Sequence, residues 1–272
     1  MNLSIPILMY HQVSNEPNPN YLEYTVTTKA FAAQMKILKL LGFVPITFSR
    51  LTDYKNGITK LPSKPVIITF DDGMQDAIDN AVPILKNSGF TAVFYIPTDY
   101  VGRNGSWMIP EANIELPVID WATVISLDRM GFEVGAHSMS HPHLDKVSTD
   151  DCNKELSGSR QKLEEVLGHE VRHMAYPFGD YNERVKTLVD ECGYVTACTT
   201  EEGIASLNND MLTFPRLNMG MDAELLNFLC KINSAHSPIG IIARRMQAVR
   251  YNMPKPIKQI IKKLIYRHKP VI

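Results

Sequence analysis

Two carboxylates side by side at the end of an apolar run need a reason. Val66-Ile67-Ile68-Thr69-Phe70 is β-branched and aromatic, as a buried strand should be, and it stops at Asp71-Asp72-Gly73. Like charges this close raise one of the two pKa values. A divalent cation relieves the repulsion: one aspartate can bind it while the other handles a proton. A helix N-cap is the plainer account, since aspartate is a favoured cap, but one cap explains one aspartate.

A second constellation lies downstream. Gly135-Ala136 leads into His137-Ser138-Met139-Ser140-His141. Histidines four apart share a face where the segment turns helically, and imidazole suits Zn²⁺. With Asp72 they make a set of two histidines and one carboxylate. Three protein ligands leave a coordination position for water, as a catalytic zinc requires. His143 is off the spacing and is read as lying at the surface or behind the ligands. Further on, Tyr176-Pro177-Phe178-Gly179-Asp180 breaks a strand with proline and glycine. It is either an ordinary strand-to-helix loop or a rigid one whose backbone N–H groups stabilise an oxyanion. Arg216, in Phe214-Pro215-Arg216-Leu217, is either a surface charge or the partner that keeps a catalytic carboxylate ionised.

The elements that must position these groups follow from punctuation. Phe31, Met35, Leu38 and Leu41 recur at helical spacing and the run ends at Gly42-Phe43. The same ending returns at Gly89-Phe90, Gly131-Phe132 and Gly193-Tyr194, each followed by an extended apolar run. Glycine supplies the left-handed residue after a helix, and the aromatic packs back on its last turn. With strands expected at 3–10, 66–70, 172–176 and 212–218, about eight β units alternate with helices. That pattern predicts a parallel sheet covered by helices, as a barrel or an open doubly wound sheet. In a barrel the chemistry gathers at the C-terminal strand ends, where His11, Asp71-Asp72, His137 and Pro177-Phe178 fall.

Together these residues resemble the polysaccharide deacetylase family (carbohydrate esterase family 4). Thr69-Phe70-Asp71-Asp72-Gly73 is similar to its first motif, His137 to His141 to its second, and Tyr176-Pro177-Phe178-Gly179 to its third. The resemblance covers about residues 3–220. It implies an α/β fold, a distorted (β/α) barrel of seven or eight strands, and metal-dependent removal of acetyl from an N-acetylated amino sugar or glycan. It also implies that Asp71 is the base and that Asp72, His137 and His141 hold the metal; on the residues' own chemistry the metal is expected to be zinc, and the Phe178 N–H is expected to face the oxyanion. Many members carry arginine where Ala175 stands, and Arg216 is the candidate to replace it. The family's tryptophan-bearing fourth motif and late Leu-x-His motif are not evident. Met9-Tyr10-His11 is similar to the opening of the branch that deacetylates poly-N-acetylglucosamine. His11 is therefore expected to be the general acid, with a pKa near neutrality or above. Two other readings stand beside this one: an imide or ureide amidohydrolase on a related barrel, and a glycan-binding module without catalysis.

Composition bounds the rest. The 272 residues are 44% hydrophobic and 21% charged, an ordinary globular composition with enough length for one large core. Residues 1–224 are expected to form it. Ten of the 28 Lys/Arg lie from Leu225 onward, where there are no acids, leaving 18 against 29 in the preceding part. The body is thus acidic and residues 225–272 form a basic tail. In the tail, Ile257, Ile260, Ile261, Leu264 and Ile265 face away from Lys258, Lys262, Lys263 and Arg267. Such a helix either lies on anionic lipid or docks on the acidic body. Cys152, Cys192, Cys198 and Cys230 show no CxxC spacing and read as reduced, buried thiols. No signal peptide or membrane-spanning run is evident. The expected location is cytoplasmic, with peripheral contact at the inner face of the membrane. No nucleic-acid partner is expected, and oligomeric state is not legible.

Overall fold

The computed structural model describes residues 3–221 and 225–233. Seven parallel strands close a ring within a unit that spans Met1–Phe228. They are β1 (Ile7–Tyr10), β2 (Pro65–Phe70), β3 (Val93–Ile96), β4 (Glu133–Ala136), β5 (His173–Ala175), β6 (Thr196–Glu202) and β7 (Phe214–Asn218). Each strand pairs with the next in sequence, and β7 returns to β1 through Leu217 opposite Leu8. An eighth short strand, Val44–Pro45, pairs with the start of β2 and stays outside the ring. The helices are α1 (Thr28–Leu40), α2 (Phe48–Lys55), α3 (Gln75–Ser88), α4 (Met108–Ala112), α5 (Trp121–Arg129), α6 (Thr149–Leu167), α7 (Glu183–Glu191) and α8 (Leu225–Asn233). The amphipathic segment expected at 257–265 lies outside the described residues.

The four glycine–aromatic endings do what their chemistry predicts. Gly42, Gly89, Gly131 and Gly193 all have φ between 71° and 84°. The following aromatic N–H reaches back to a carbonyl in the last turn, as Phe43 to Leu38 and Phe90 to Leu85, both at 2.9 Å. Starts are capped by side chains: Thr27, Thr47, Asp120, Ser148 and Asn182 each accept a backbone N–H three residues on.

Inside the ring, Ile7, Ile67, Val93, Tyr95, Ala175, Cys198 and Phe214 form one buried cluster. β4 gives way to it. A Cβ on Gly135 would sit 2.6 Å from the Tyr95 ring and 2.8 Å from the His173 carbonyl, so the glycine makes room for Tyr95. Of the cysteines, all free, Cys152 and Cys198 are buried as expected, whereas Cys192 and Cys230 are partly exposed.

Register decides where the chemistry lies. Tyr10 is opposite Phe70, and Phe70 opposite Phe94. One residue beyond, the Asp71 N–H donates to the Tyr10 carbonyl (2.9 Å), the His137 N–H to Ile96 (3.0 Å) and the Tyr176 N–H to Cys198 (3.0 Å). His11, Asp71, His137 and Pro177 therefore emerge together at the C-terminal end of the ring.

Candidate active site and metal centre

Among the described residues, five non-glycines have positive φ: Asp72 (71°), Asn113 (53°), Ser138 (59°), His141 (57°) and Phe178 (58°). Four of the five belong to the motifs singled out from the sequence. This conformation costs a non-glycine residue about 1–3 kcal/mol and persists where surroundings impose it, characteristically at functional sites.

Asp72, His137 and His141 converge. The Asp72 Oδ1 lies 3.4 Å from His137 Nε2 and 3.2 Å from His141 Nε2, and the two Nε2 atoms are 3.2 Å apart. Ligand atoms about 2.0–2.1 Å from a tetrahedral zinc stand about 3.4 Å from one another, so the triangle has the size of such a site. Its chemistry fits a cation as well. His137 Nδ1 lies 2.8 Å from the Ala175 carbonyl, which can only accept, so the proton sits on Nδ1 and the Nε2 lone pair faces the triangle. Burial pushes the Asp72 carboxyl up, but the two imidazoles outweigh it and hold it well below its ordinary range. The other Asp72 oxygen accepts from the Tyr21 hydroxyl at 3.2 Å.

The expected helical turn is absent: residues 137–141 form a loop. The histidines meet because Ser138 and His141 are left-handed, not because of helical periodicity. Glu155 on α6 fixes the loop, its carboxylate accepting from the Met139 and Ser140 N–H groups, both at 2.8 Å, and the Ser138 Oγ accepts the His141 N–H at 3.0 Å. His141 Nδ1 has no hydrogen-bond partner among the described residues. Rings hold it instead, Trp107 stacked at 4.8 Å and Phe178 edge-on at 4.6 Å.

Asp71 points to a different partner. Arg216, fully buried, grips it with two bonds, Nη1 to Oδ1 and Nη2 to Oδ2, each 2.7 Å. Nη1 also donates to Thr69 Oγ1 (3.1 Å), and Nε to the Thr199 carbonyl (2.8 Å). Of the two sequence readings of Arg216, the surface charge is ruled out by burial. Burial alone pushes the Asp71 carboxyl up; Arg216 outweighs it, so the group lies below its ordinary value.

His11 Nε2 stands 4.0 Å from Asp71 Oδ2, with the Tyr24 ring against it. The neighbours were expected to hold its pKa near neutrality or above; instead burial pushes the imidazole below its ordinary value, and the pull of Asp72 and Asp71 does not outweigh it. Phe178 occupies a tight turn whose bonds run from Gly179 N–H to Tyr176 O and from Asp180 N–H to Pro177 O. Thr200 closes on this turn so tightly that a Cβ on Gly179 would fall 2.0 Å from its Oγ1.

A second grouping, His143 with Asp145 and Asp180, is partly exposed. Its His143 Nδ1–Asp180 Oδ2 distance of 2.7 Å is a hydrogen bond, shorter than the roughly 3 Å or more between two ligands of one ion. The buried triangle is the better cation site.

The family described as Polysaccharide deacetylase matches residues 59–197, just over half of the chain. The chain belongs to that family. A poly-beta-1,6-N-acetyl-D-glucosamine N-deacetylase of Staphylococcus aureus (strain MRSA252) is 27% identical over 209 residues, 74% of this deacetylase and 69% of the relative. The Streptococcus pyogenes deacetylase PplD, solved in complex with acetate, superposes with a TM-score of 0.72 at 26% identity, covering 85% of this chain and 99% of that one. BC0361, a polysaccharide deacetylase from Bacillus cereus, gives the same TM-score at 28% identity over 85% of this chain and 69% of its own. This deacetylase is thus a hydrolase of amide bonds on N-acetylated saccharides, and its family is metal-dependent. Among its described residues no helix is long and apolar enough to cross a membrane.

Proposed function

We propose that this chain removes acetyl groups from N-acetylglucosamine units of a polymer, with zinc held by Asp72, His137 and His141. The observation that carries the reading is the buried ligand triangle standing next to a second carboxylate, Asp71, which is clamped by arginine and so kept out of the ligand set. When bound, the metal polarises the acetamide carbonyl and brings the pKa of a water to about 7. Asp71, ionised through Arg216, accepts the proton of the attacking water. The Phe178 N–H donates to the carbonyl oxygen as it gains charge. His11, beside Asp71 and on the same face, delivers a proton to the departing amine; burial pushes its pKa down, which makes its imidazolium a better donor than a free one. The sugar polymer follows from what the staphylococcal relative is named for. The basic stretch 225–272 supports peripheral contact with an anionic membrane face. The decisive experiment is acetate release from β-linked N-acetylglucosamine oligomers with and without chelator. Release that chelator abolishes and zinc restores is expected. Release from imide or ureide substrates alone would sink the reading.

A further inference from the structure

His143 and Asp180 have no part in the chemistry above, yet they join its two loops. The His143 ring stacks on Phe178 with centroids 4.0 Å apart and planes 16° from parallel. Its Nδ1–H donates to Asp180 Oδ2 at 2.7 Å, two residues beyond Phe178 on the same turn. Arg184 fixes the segment that carries His143, its Nη2 donating to the carbonyls of Leu144, Asp145 and Val147 at 3.0–3.3 Å. Phe178 in turn lies edge-on against His141, the ligand whose Nδ1 lacks a hydrogen-bond acceptor among the described residues. A metal-binding histidine is ordinarily aimed by the bond its other nitrogen makes. Here that orienting bond is replaced by ring packing, and the residue whose ring packs has a left-handed backbone at φ 58° that needs support.

We propose that His143 and Asp180 are positioning residues. The imidazole, aimed by Asp180, buttresses the Phe178 ring, and Phe178 passes that support on to the His141 ring and to its own N–H. This rests on the roles given above to His141 and Phe178. The test compares His143→Ala, His143→Phe and Asp180→Asn in the full-length chain. Zinc affinity is measured by competition titration, and kcat and KM with zinc in excess.

His143→Ala is expected to weaken zinc by about 10-fold, within the 10–100-fold typical of lost orienting contacts. It should lower kcat by a similar factor with KM changed less than about threefold, as expected when an interaction made in the transition state is lost. His143→Phe keeps a flat ring on Phe178, and Asp180→Asn keeps an acceptor for Nδ1–H. Both should stay within about threefold of the parent chain in zinc affinity and kcat. Parent-like zinc affinity and kcat in His143→Ala would overturn the proposal, and so would a His143→Phe protein as weak as His143→Ala. If the parent chain released no acetate, the reading of the reaction would fail, and the zinc titration would still decide the positioning.

Discussion

Asp71 and Asp72 are neighbours in sequence with opposite fates, and single substitutions should separate them. Asp71→Asn keeps the ligand triangle intact. It should retain stoichiometric metal by elemental analysis while losing about 10²–10⁴ in turnover, the usual worth of a general base. His137→Ala or His141→Ala should lose metal and activity together; full occupancy in either would remove the triangle from the mechanism. Arg216 has the larger structural consequence. Arg216→Met leaves a buried carboxylate without its partner and should cost about 3–5 kcal/mol in denaturant unfolding. It should also invert a pH dependence. In the parent, the depressed Asp71 adds stability that is complete above the unfolded value of about 3.9 and is lost as pH falls through the folded value. Without Arg216, burial dominates and the folded pKa lies above the unfolded one. Stability should then fall as pH rises from about 4 toward the new folded value. A parent-like pH profile in the mutant would show that Arg216 does not set the Asp71 charge.

The elements were legible where local chemistry repeats. Glycine followed by an aromatic marked four helix ends because a left-handed residue and a back-packed ring are both written within two positions. The strand carrying Asp71 was legible from its apolar run, although its neighbour Val44–Pro45 proved to stand outside the ring. What could not be read arrives from far away in sequence. Tyr21 comes from the loop before α1, Trp107 from the excursion between β3 and α5, and Glu155 from α6, and no spacing rule links them to the site. The helical reading of 137–141 failed because periodicity carries no record of positive φ at Ser138 and His141. The downward push on the His11 imidazole could not be read, because burial is a property of the closed barrel and not of the neighbouring letters. Glu155→Ala removes the acceptor for two N–H groups of the histidine loop. It should weaken metal binding about 10–100-fold with little change in the far-UV spectrum. Gly135→Ala should instead leave the ligands in place and lose about 1–3 kcal/mol by forcing Tyr95 off its seat, as checked by thermal unfolding.

For the molecule as a whole, charge is divided along the chain: an acidic body and a stretch from Leu225 that holds ten Lys/Arg and no acids. A chain ended near Asn252 should stay in the supernatant when the full chain sediments with anionic vesicles at low salt, and added salt should release the full chain. Equal sedimentation of both would assign the basic stretch to the body instead. The ring has its own long-range demand, because β1 is held between β2 and β7, the latter some 200 residues away. On the ribosome, the first two hundred residues emerge with open edges at β1 and β6, the kind of edge that pairs with other chains. Arg216 rides on the strand that closes them. The charge that neutralises Asp71 therefore comes with the last strand, and a nascent chain short of it carries the Asp72–His137–His141 triangle but neither a finished wall nor a compensated Asp71. Closing the seam and neutralising Asp71 are one event in the birth of this enzyme.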